Sequence, residues 1–297
     1  MKCDLCPRKC LVDRKKGEKG ICGQTENLKV ARAALHFWEE PCISGDAGSG
    51  AVFFSGCPLH CVFCQNENIA NGTVGKEISL ERLVDIFLEL QEKRANNINL
   101  VTPGHFVPQI VKALDQARKE GLTLPVVYNT SSYETVDTIK MLEGYVDIYS
   151  PDFKYMSPVL SKKYSHAPDY AEVAKAAIAE MVRLTGKAVF VNGDEDNLIL
   201  SGTTVRHLTL PGCMADSMQL LKYLHDTYGD MIYISIMNQF TPLSNLEKYP
   251  ELNRRITDEE YETLVDYAIE IGIENGFIQE GNTAEESFIP AFDCESE

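Results

Sequence analysis

Cys57-Pro58-Leu59-His60-Cys61-Val62-Phe63-Cys64 places three thiols at gaps of three and two residues, just after the apolar run Ala51-Val52-Phe53-Phe54. That run reads as a strand, so the thiols sit on the loop where it ends. Three thiolates are too few to close a four-coordinate zinc site, but they can hold a [4Fe–4S] cluster through three irons and leave the fourth iron open for chemistry. Two other readings stand beside this one: a zinc site completed by His60 or a distant ligand, and a set of buried thiols.

Composition narrows the choice. The 297 residues are 44% hydrophobic, enough for one large α/β barrel with a small appendage. Met1-Lys2-Cys3-Asp4-Leu5-Cys6 has no apolar signal core, and no later apolar run approaches membrane-spanning length, so a cytoplasmic protein with no membrane partner is expected. A net charge of −16 repels a polyphosphate backbone and argues against nucleic acid. Partners are expected among proteins and small molecules. Seven of the ten cysteines fall in two close-spaced groups, which in a chain of this size favours metal ligation over a disulfide scaffold.

The second group is Cys3, Cys6, Cys10 and Cys22, with Cys3-Asp4-Leu5-Cys6-Pro7 and Gly20-Ile21-Cys22-Gly23 as metal-type knuckles. Four thiols can close a tetrahedral shell around zinc or a rubredoxin-like iron, and an auxiliary Fe–S cluster is the close competitor. Arg8, Lys9, Arg14, Lys15, Lys16 and Lys19 lie between them; they partly offset the thiolate charge and otherwise read as a solvated face. Residues 1–45 are thus expected to form a cysteine-rich metal-binding segment and linker, and residues 46–297 a barrel. In the linker, His36 beside Phe37 and Trp38 reads as a core histidine or an acid/base group, Cys42 as a packed thiol, and Glu39 and Glu40 as carboxylates at a site edge. Residues 44–50, rich in glycine, read as a loop able to approach a ligand closely.

Beyond the thiol loop, strand and helix signals alternate. Strands are predicted at 98–101, 125–128, 146–149, 205–210 and 231–237. Helices are predicted at 80–95 with Ser79 as N-cap, and at 107–120, 134–142, 169–185 and 215–228; a last one begins at the capping box Thr257-Asp258-Glu259-Glu260. Right-handed βαβ units of this kind give a parallel sheet, and roughly six of them give a partial (β/α)6 barrel, an α/β fold with the small N-terminal cysteine-rich segment attached. Sites in such barrels form where strands end. Those exits carry Thr102-Pro103-Gly104-His105, residues 129–134, Ser150-Pro151-Asp152-Phe153-Lys154-Tyr155, Pro211-Gly212-Cys213 and Asn238-Gln239-Phe240. Period-two alternation puts Arg206 with Leu208 and Leu210 on the lumen face, where a charge needs an anionic partner.

The Cys57–Cys64 spacing, with an aromatic Phe63 before the last cysteine, resembles the C-x3-C-x2-C signature of the radical S-adenosylmethionine superfamily. Phe53-Phe54-Ser55-Gly56-Cys57 through Cys61-Val62-Phe63-Cys64-Gln65-Asn66 resembles its branch related to pyruvate formate-lyase activating enzymes. The resemblance implies a [4Fe–4S] cluster on Cys57, Cys61 and Cys64 and S-adenosylmethionine on its open iron. It implies reductive cleavage of that cofactor to methionine and a 5′-deoxyadenosyl radical, and hydrogen abstraction from a substrate, in this branch a glycyl-radical enzyme. An electron donor such as flavodoxin or ferredoxin is implied with it. Carried over by motif, Thr102 and Pro103 meet the cofactor's amino group, Asn129 and Ser131 its ribose, and Asp152 with Lys154 its polar end. Phe63, Arg206 and Gln239 complete the wall. No catalytic side chain is assigned. The family's Gly-Gly-Glu at the second strand exit is here Thr102-Pro103-Gly104, without the glutamate. The cysteine leader resembles one found on some members and differs from the ferredoxin-like insert that follows the principal motif in several activases. The rival functions are radical modification of another peptide or a small metabolite, and a non-catalytic Fe–S, zinc or electron-transfer protein.

Overall fold

The computed structural model describes residues 2–193, 197–243 and 246–279. Its strands are β1 (Lys29–His36), β2 (Ser49–Phe54), β3 (Lys76–Glu77), β4 (Ile98–Val101), β5 (Val126–Thr130), β6 (Ile148–Pro151), β7 (Val189–Phe190), β8 (Ile199–Leu208), β9 (Tyr233–Met237) and β10 (Gly276–Ile278). They form one sheet in the order β10-β9-β8-β6-β5-β4-β2-β1-β3, with β7 hairpinned onto β8. Every pairing from β2 round to β10 is parallel. The ends of this path, β3 and β10, are not paired with each other, so the sheet is a partial barrel, as the alternation of strands and helices implies.

Helices Leu80–Glu92, Val107–Lys119, Tyr170–Thr185, Met214–Tyr228 and Asp258–Glu270 follow the sequence signals. Ser79 accepts the Arg82 N–H at 3.1 Å, and Thr257 with Glu260 forms the full capping box. The helix expected over 134–142 is shorter, Val136–Lys140, because Thr135 caps it and Glu134 turns into the interior. Parallel strands covered on both faces read as continuous apolar runs, and all six residues of β2 are buried. One core packs Leu83, Phe87, Ile110 and Leu114 of the outer helices on Val52, Phe54, Leu100 and Tyr128. A second gathers Tyr155, Tyr164, Tyr170, Phe153 and Phe240 beneath the thiol loop.

The stretch read as linker contributes β1, which pairs antiparallel with β2 from Val30↔Phe54 to His36↔Ser49. Its direction delivers residues 37–41 to the end of the barrel opposite the thiol loop, where they form the lumen floor. The glycines at 44–50 serve packing rather than a ligand: Gly48 lies against the Phe37 ring, and Gly45 against Leu198 and Asn96. Gly50 is the tightest of them in backbone terms, since an added Cβ would stand 2.7 Å from the Asn97 carbonyl and 3.1 Å from the Ala95 Cβ. Gly50→Ala should therefore cost about 1–3 kcal/mol, read as a lower urea midpoint of the metal-free protein. An unchanged midpoint would mean that β2 shifts freely against the 95–97 turn.

Candidate active site

Two side chains fasten the thiol loop from below. Leu59 is fully buried, and Phe63 packs edge-on against Phe240, Tyr155 and Tyr164 at centroid distances of 6.0, 6.5 and 6.5 Å. The loop main chain is tied down by Val62 N–H to the Tyr164 carbonyl at 2.9 Å and by Cys64 N–H to the Cys61 carbonyl at 3.0 Å. The sulfurs are left facing donors. Ser165 Oγ donates to Cys61 Sγ at 2.9 Å, and backbone N–H groups of Leu59 and His60 face Cys57. Burial pushes the free thiols up, Cys57 to about 11 and Cys64 to about 12, while Lys154 pulls all three the other way. Both ring nitrogens of His60 are engaged, with Asn71 Oδ1 at 3.2 Å and the Ile21 carbonyl at 2.7 Å, which counts against His60 as a zinc ligand.

Below the loop, the lumen holds a bonded charge network. Arg206 donates from Nε to Asp152 Oδ1 at 3.0 Å, from Nη1 to Glu39 Oε2 at 3.0 Å, and from Nη2 to Asn129 Oδ1 at 2.6 Å. Lys154 Nζ reaches Asp152 Oδ2 at 2.7 Å, and Asn99 Nδ2 reaches Glu39 Oε1 at 3.0 Å. Burial alone would raise Asp152, but Lys154 and Arg206 hold it below the usual carboxylate range. Burial likewise works against the Arg206 cation, and Asp152, Glu39 and Glu40 more than restore it. The anionic partner that the alternation of β8 demanded is therefore present twice.

Thiols and network open into one cavity of about 510 Å³, a size suited to a cofactor-sized ligand. Its walls include Cys57, Cys61, Cys64, Phe63, Thr102, Asn129, Ser131, Asp152, Lys154, Arg206 and Gln239. Pro103 does not line it; it precedes the 3-10 turn Gly104–Phe106. Thr102 itself takes a left-handed backbone, φ 55°, which turns the chain away from the lumen at once. Residues 36–41 were underestimated by sequence reasoning: His36, Glu39 and Glu40 all line the floor. Glu40 is buried with Oε2 unpartnered, and burial pushes its carboxyl up. His36 packs edge-on against Phe53 and is pushed down to about 4 by burial and by Arg32 and Arg206, so it is neutral at pH 7. The paired acids beside an aromatic run were the available signal.

Residues 51–199, just over half of the chain, match the Radical SAM superfamily. The chain belongs to the radical SAM superfamily. An uncharacterized protein of Methanocaldococcus jannaschii is 27% identical over 272 residues, which is 90% of this chain and 74% of that protein. Among solved structures, HydG, a maturase of the [FeFe]-hydrogenase, superposes with a TM-score of 0.51 at 14% identity, over 76% of this chain and 50% of its own. Streptococcus suis SuiB bound to S-adenosylmethionine gives 0.52 at 13% identity, over 75% and 48%. The chain spans about half the length of these two structures, and at such identities they speak for the fold alone.

Radical SAM membership implies a [4Fe–4S] cluster and S-adenosylmethionine as cofactors. The donor set fits them: three thiols with amide, hydroxyl and ammonium donors around them, at the rim of a cavity with charged walls. The described thiols are free, and among the described residues no three His, Cys, Asp or Glu side chains stand drawn together around a single ion. Among the described residues, too, no helix is long and apolar enough to cross a membrane.

Two predictions follow the buried charges. Arg206→Met leaves Glu39 and Asp152 short of their shared cation, so the metal-free protein should lose about 3–5 kcal/mol in urea unfolding. Stability like the parent's would mean that the carboxylates do not depend on Arg206. Glu134 is buried against Gly104, accepts from Thr130 Oγ1 at 2.7 Å and Tyr128 OH at 3.2 Å, and is pushed up by burial to about 7. Because its pKa is higher folded than unfolded, the folded state keeps a proton that the unfolded chain sheds. Its contribution is full at low pH and is lost as pH rises from the ordinary glutamate range through about 7. Glu134→Gln should remove about 1–3 kcal/mol of that decline between pH 5 and 8. Parallel stability profiles for parent and variant would contradict the assignment.

Proposed function

We propose that this protein reductively cleaves S-adenosylmethionine and abstracts hydrogen from a substrate, with Cys57, Cys61 and Cys64 as the ligands of its [4Fe–4S] cluster. The observation that carries the reading is that all three thiols, Lys154 and the Arg206 network face a single cavity. Bound there, the cofactors would supply a one-electron cleavage to methionine and a 5′-deoxyadenosyl radical, the electron coming from a flavodoxin- or ferredoxin-type donor. The chain's own work is to bind, orient and exclude water. Leu59 and Phe63 hold the loop rigid, Ser165 and the loop amides favour thiolate over thiol, and the aromatic nest beneath keeps water from the sulfurs. Thr102, Asn129, Ser131 and Gln239 offer neutral polar groups to the ribose and amino acid ends of the cofactor. Asp152, Lys154 and Arg206 present fixed charges to its zwitterionic end, already paired and therefore already oriented.

The substrate is a backbone glycine of a glycyl-radical enzyme; the support is the likeness of residues 53–66 to the activating-enzyme branch. The leader thiols Cys3, Cys6, Cys10 and Cys22 take a second metal, zinc or iron, and dependence on seven reduced thiols suits a cytoplasmic setting. Anaerobic reconstitution followed by iron, sulfide and 5′-deoxyadenosine assays is the test. Alanine at any one of Cys57, Cys61 or Cys64 should abolish 5′-deoxyadenosine release and remove one [4Fe–4S] cluster, with the far-UV circular dichroism retained. Release by any of the three variants defeats the ligand assignment, and a loaded wild-type cluster that never cleaves the cofactor would point to electron transfer without turnover.

A further inference from the structure

The leader has too little core to order itself. Its one regular element among the described residues is the 3-10 turn Arg14–Lys16, and Leu11 and Ile21 are half exposed. Yet its sulfurs are set in turns that point main-chain donors at them. Arg8 N–H faces Cys6, Gln24 N–H faces Cys22, and Ile21 N–H donates to Cys10 Sγ at 3.3 Å. Left-handed backbone at Lys9, Leu11 and Gly23 makes the turns, and Gly20 leaves room for the Cys10 sulfur. Residues packed as small hydrophobes need no such donors; metal-held thiolates do.

The same turns grip the principal loop. Arg8, between two leader thiols, donates to the carbonyls of Pro58 at 2.9 Å, His166 at 2.6 Å and Ser165 at 3.1 Å, with its guanidinium 5.1 Å over the Tyr133 ring. Ser165 is the residue whose hydroxyl donates to Cys61. On the other side, His60 Nε2 bonds the Ile21 carbonyl at 2.7 Å, and Gly56 abuts the Cys22 carbonyl so closely that no side chain fits between.

We infer that metal drawn between Cys3, Cys6, Cys10 and Cys22 clamps the Cys57–Cys64 loop through Arg8 and the 21–24 turn, so that loading the leader orders the loop that receives the cluster. The inference rests on the leader thiols being a metal site; it does not need the principal thiols to be cluster ligands. Ordering free energy that the leader cannot draw from apolar burial comes from the metal–thiolate bonds.

The full chain with Cys57, Cys61 and Cys64 all changed to alanine, its fold checked by circular dichroism, isolates the leader. Titrated with zinc alone, it should bind at a single site and slow amide exchange in residues 56–66 by about ten- to a hundredfold, the scale of a few charge-assisted hydrogen bonds made permanent. Adding Arg8→Met should leave zinc binding intact and remove the larger part of the slowing, the remainder belonging to the 21–24 turn. Zinc binding without slowed exchange overturns the clamp, as does slowing that Arg8→Met leaves undiminished. Failure to bind either zinc or ferrous iron overturns the leader metal site itself and leaves the proposed cofactor cleavage at Cys57, Cys61 and Cys64 standing. In the otherwise unchanged chain, Cys22→Ser should hasten loss of the principal cluster's iron to a chelator about tenfold; an unchanged rate counts against the clamp in the same way.

Discussion

The Arg206 guanidinium is the tie on which this half-closed barrel depends. It stands on β8 and binds a carboxylate from the exit of β6, an amide from β5 and a carboxylate from the segment after β1, which is itself held by Asn99 of β4. An isolated charge in such a lumen would cost several kcal/mol, and the pairing holds it only because the partners come from several strands in fixed register. A sheet whose edges do not meet has no hydrogen-bond ring to fix its curvature. Here polar bonds across the lumen supply part of that constraint, and the walls a ligand would meet are already oriented by it.

Much of this was legible in the sequence, for identifiable reasons. Buried parallel strands leave apolar runs with caps and glycines between them, so β2, β4, β5, β6 and β9 and their helices were readable within a few residues, whereas β8 starts at Ile199, six residues ahead of the predicted 205, because its first residues pair with β7. Arg206 was readable as a lumen charge because β-strand alternation is strict. β1 was not, because Ala33-Ala34 and two basic residues give it neither alternation nor strand propensity; only pairing with β2 makes it a strand. Glu39 and Glu40 were readable as carboxylates at a site edge, but not as the floor of the lumen. Glu39 had no visible partner in sequence, since Arg206 lies 167 positions away.

The leader shows a second limit of sequence reading. Its basic residues look like a solvated face, and Lys15, Lys16 and Lys19 are one. Arg14 is instead buried, bonded to the carbonyls of Thr25 and His105 and stacked over Phe106, and Arg8 reaches into the principal loop. Basic side chains a few positions apart differ because a flexible cation bonds to whatever carbonyls the fold leaves open, and those belong to residues 25, 58, 105, 165 and 166. No local pattern announces them.

Because β1 runs against its neighbour, the two ends of the cavity are encoded separately. The rim comes from the turns that follow each parallel strand, and the base from a single stretch, residues 36–41, inserted ahead of them all. Glu39 is fixed there by Arg206, but its neighbours His36, Phe37 and Glu40 set the depth and acidity of the chamber without touching the thiol loop. Such an arrangement lets a lineage retune what the lower chamber accommodates without reopening the chemistry above it.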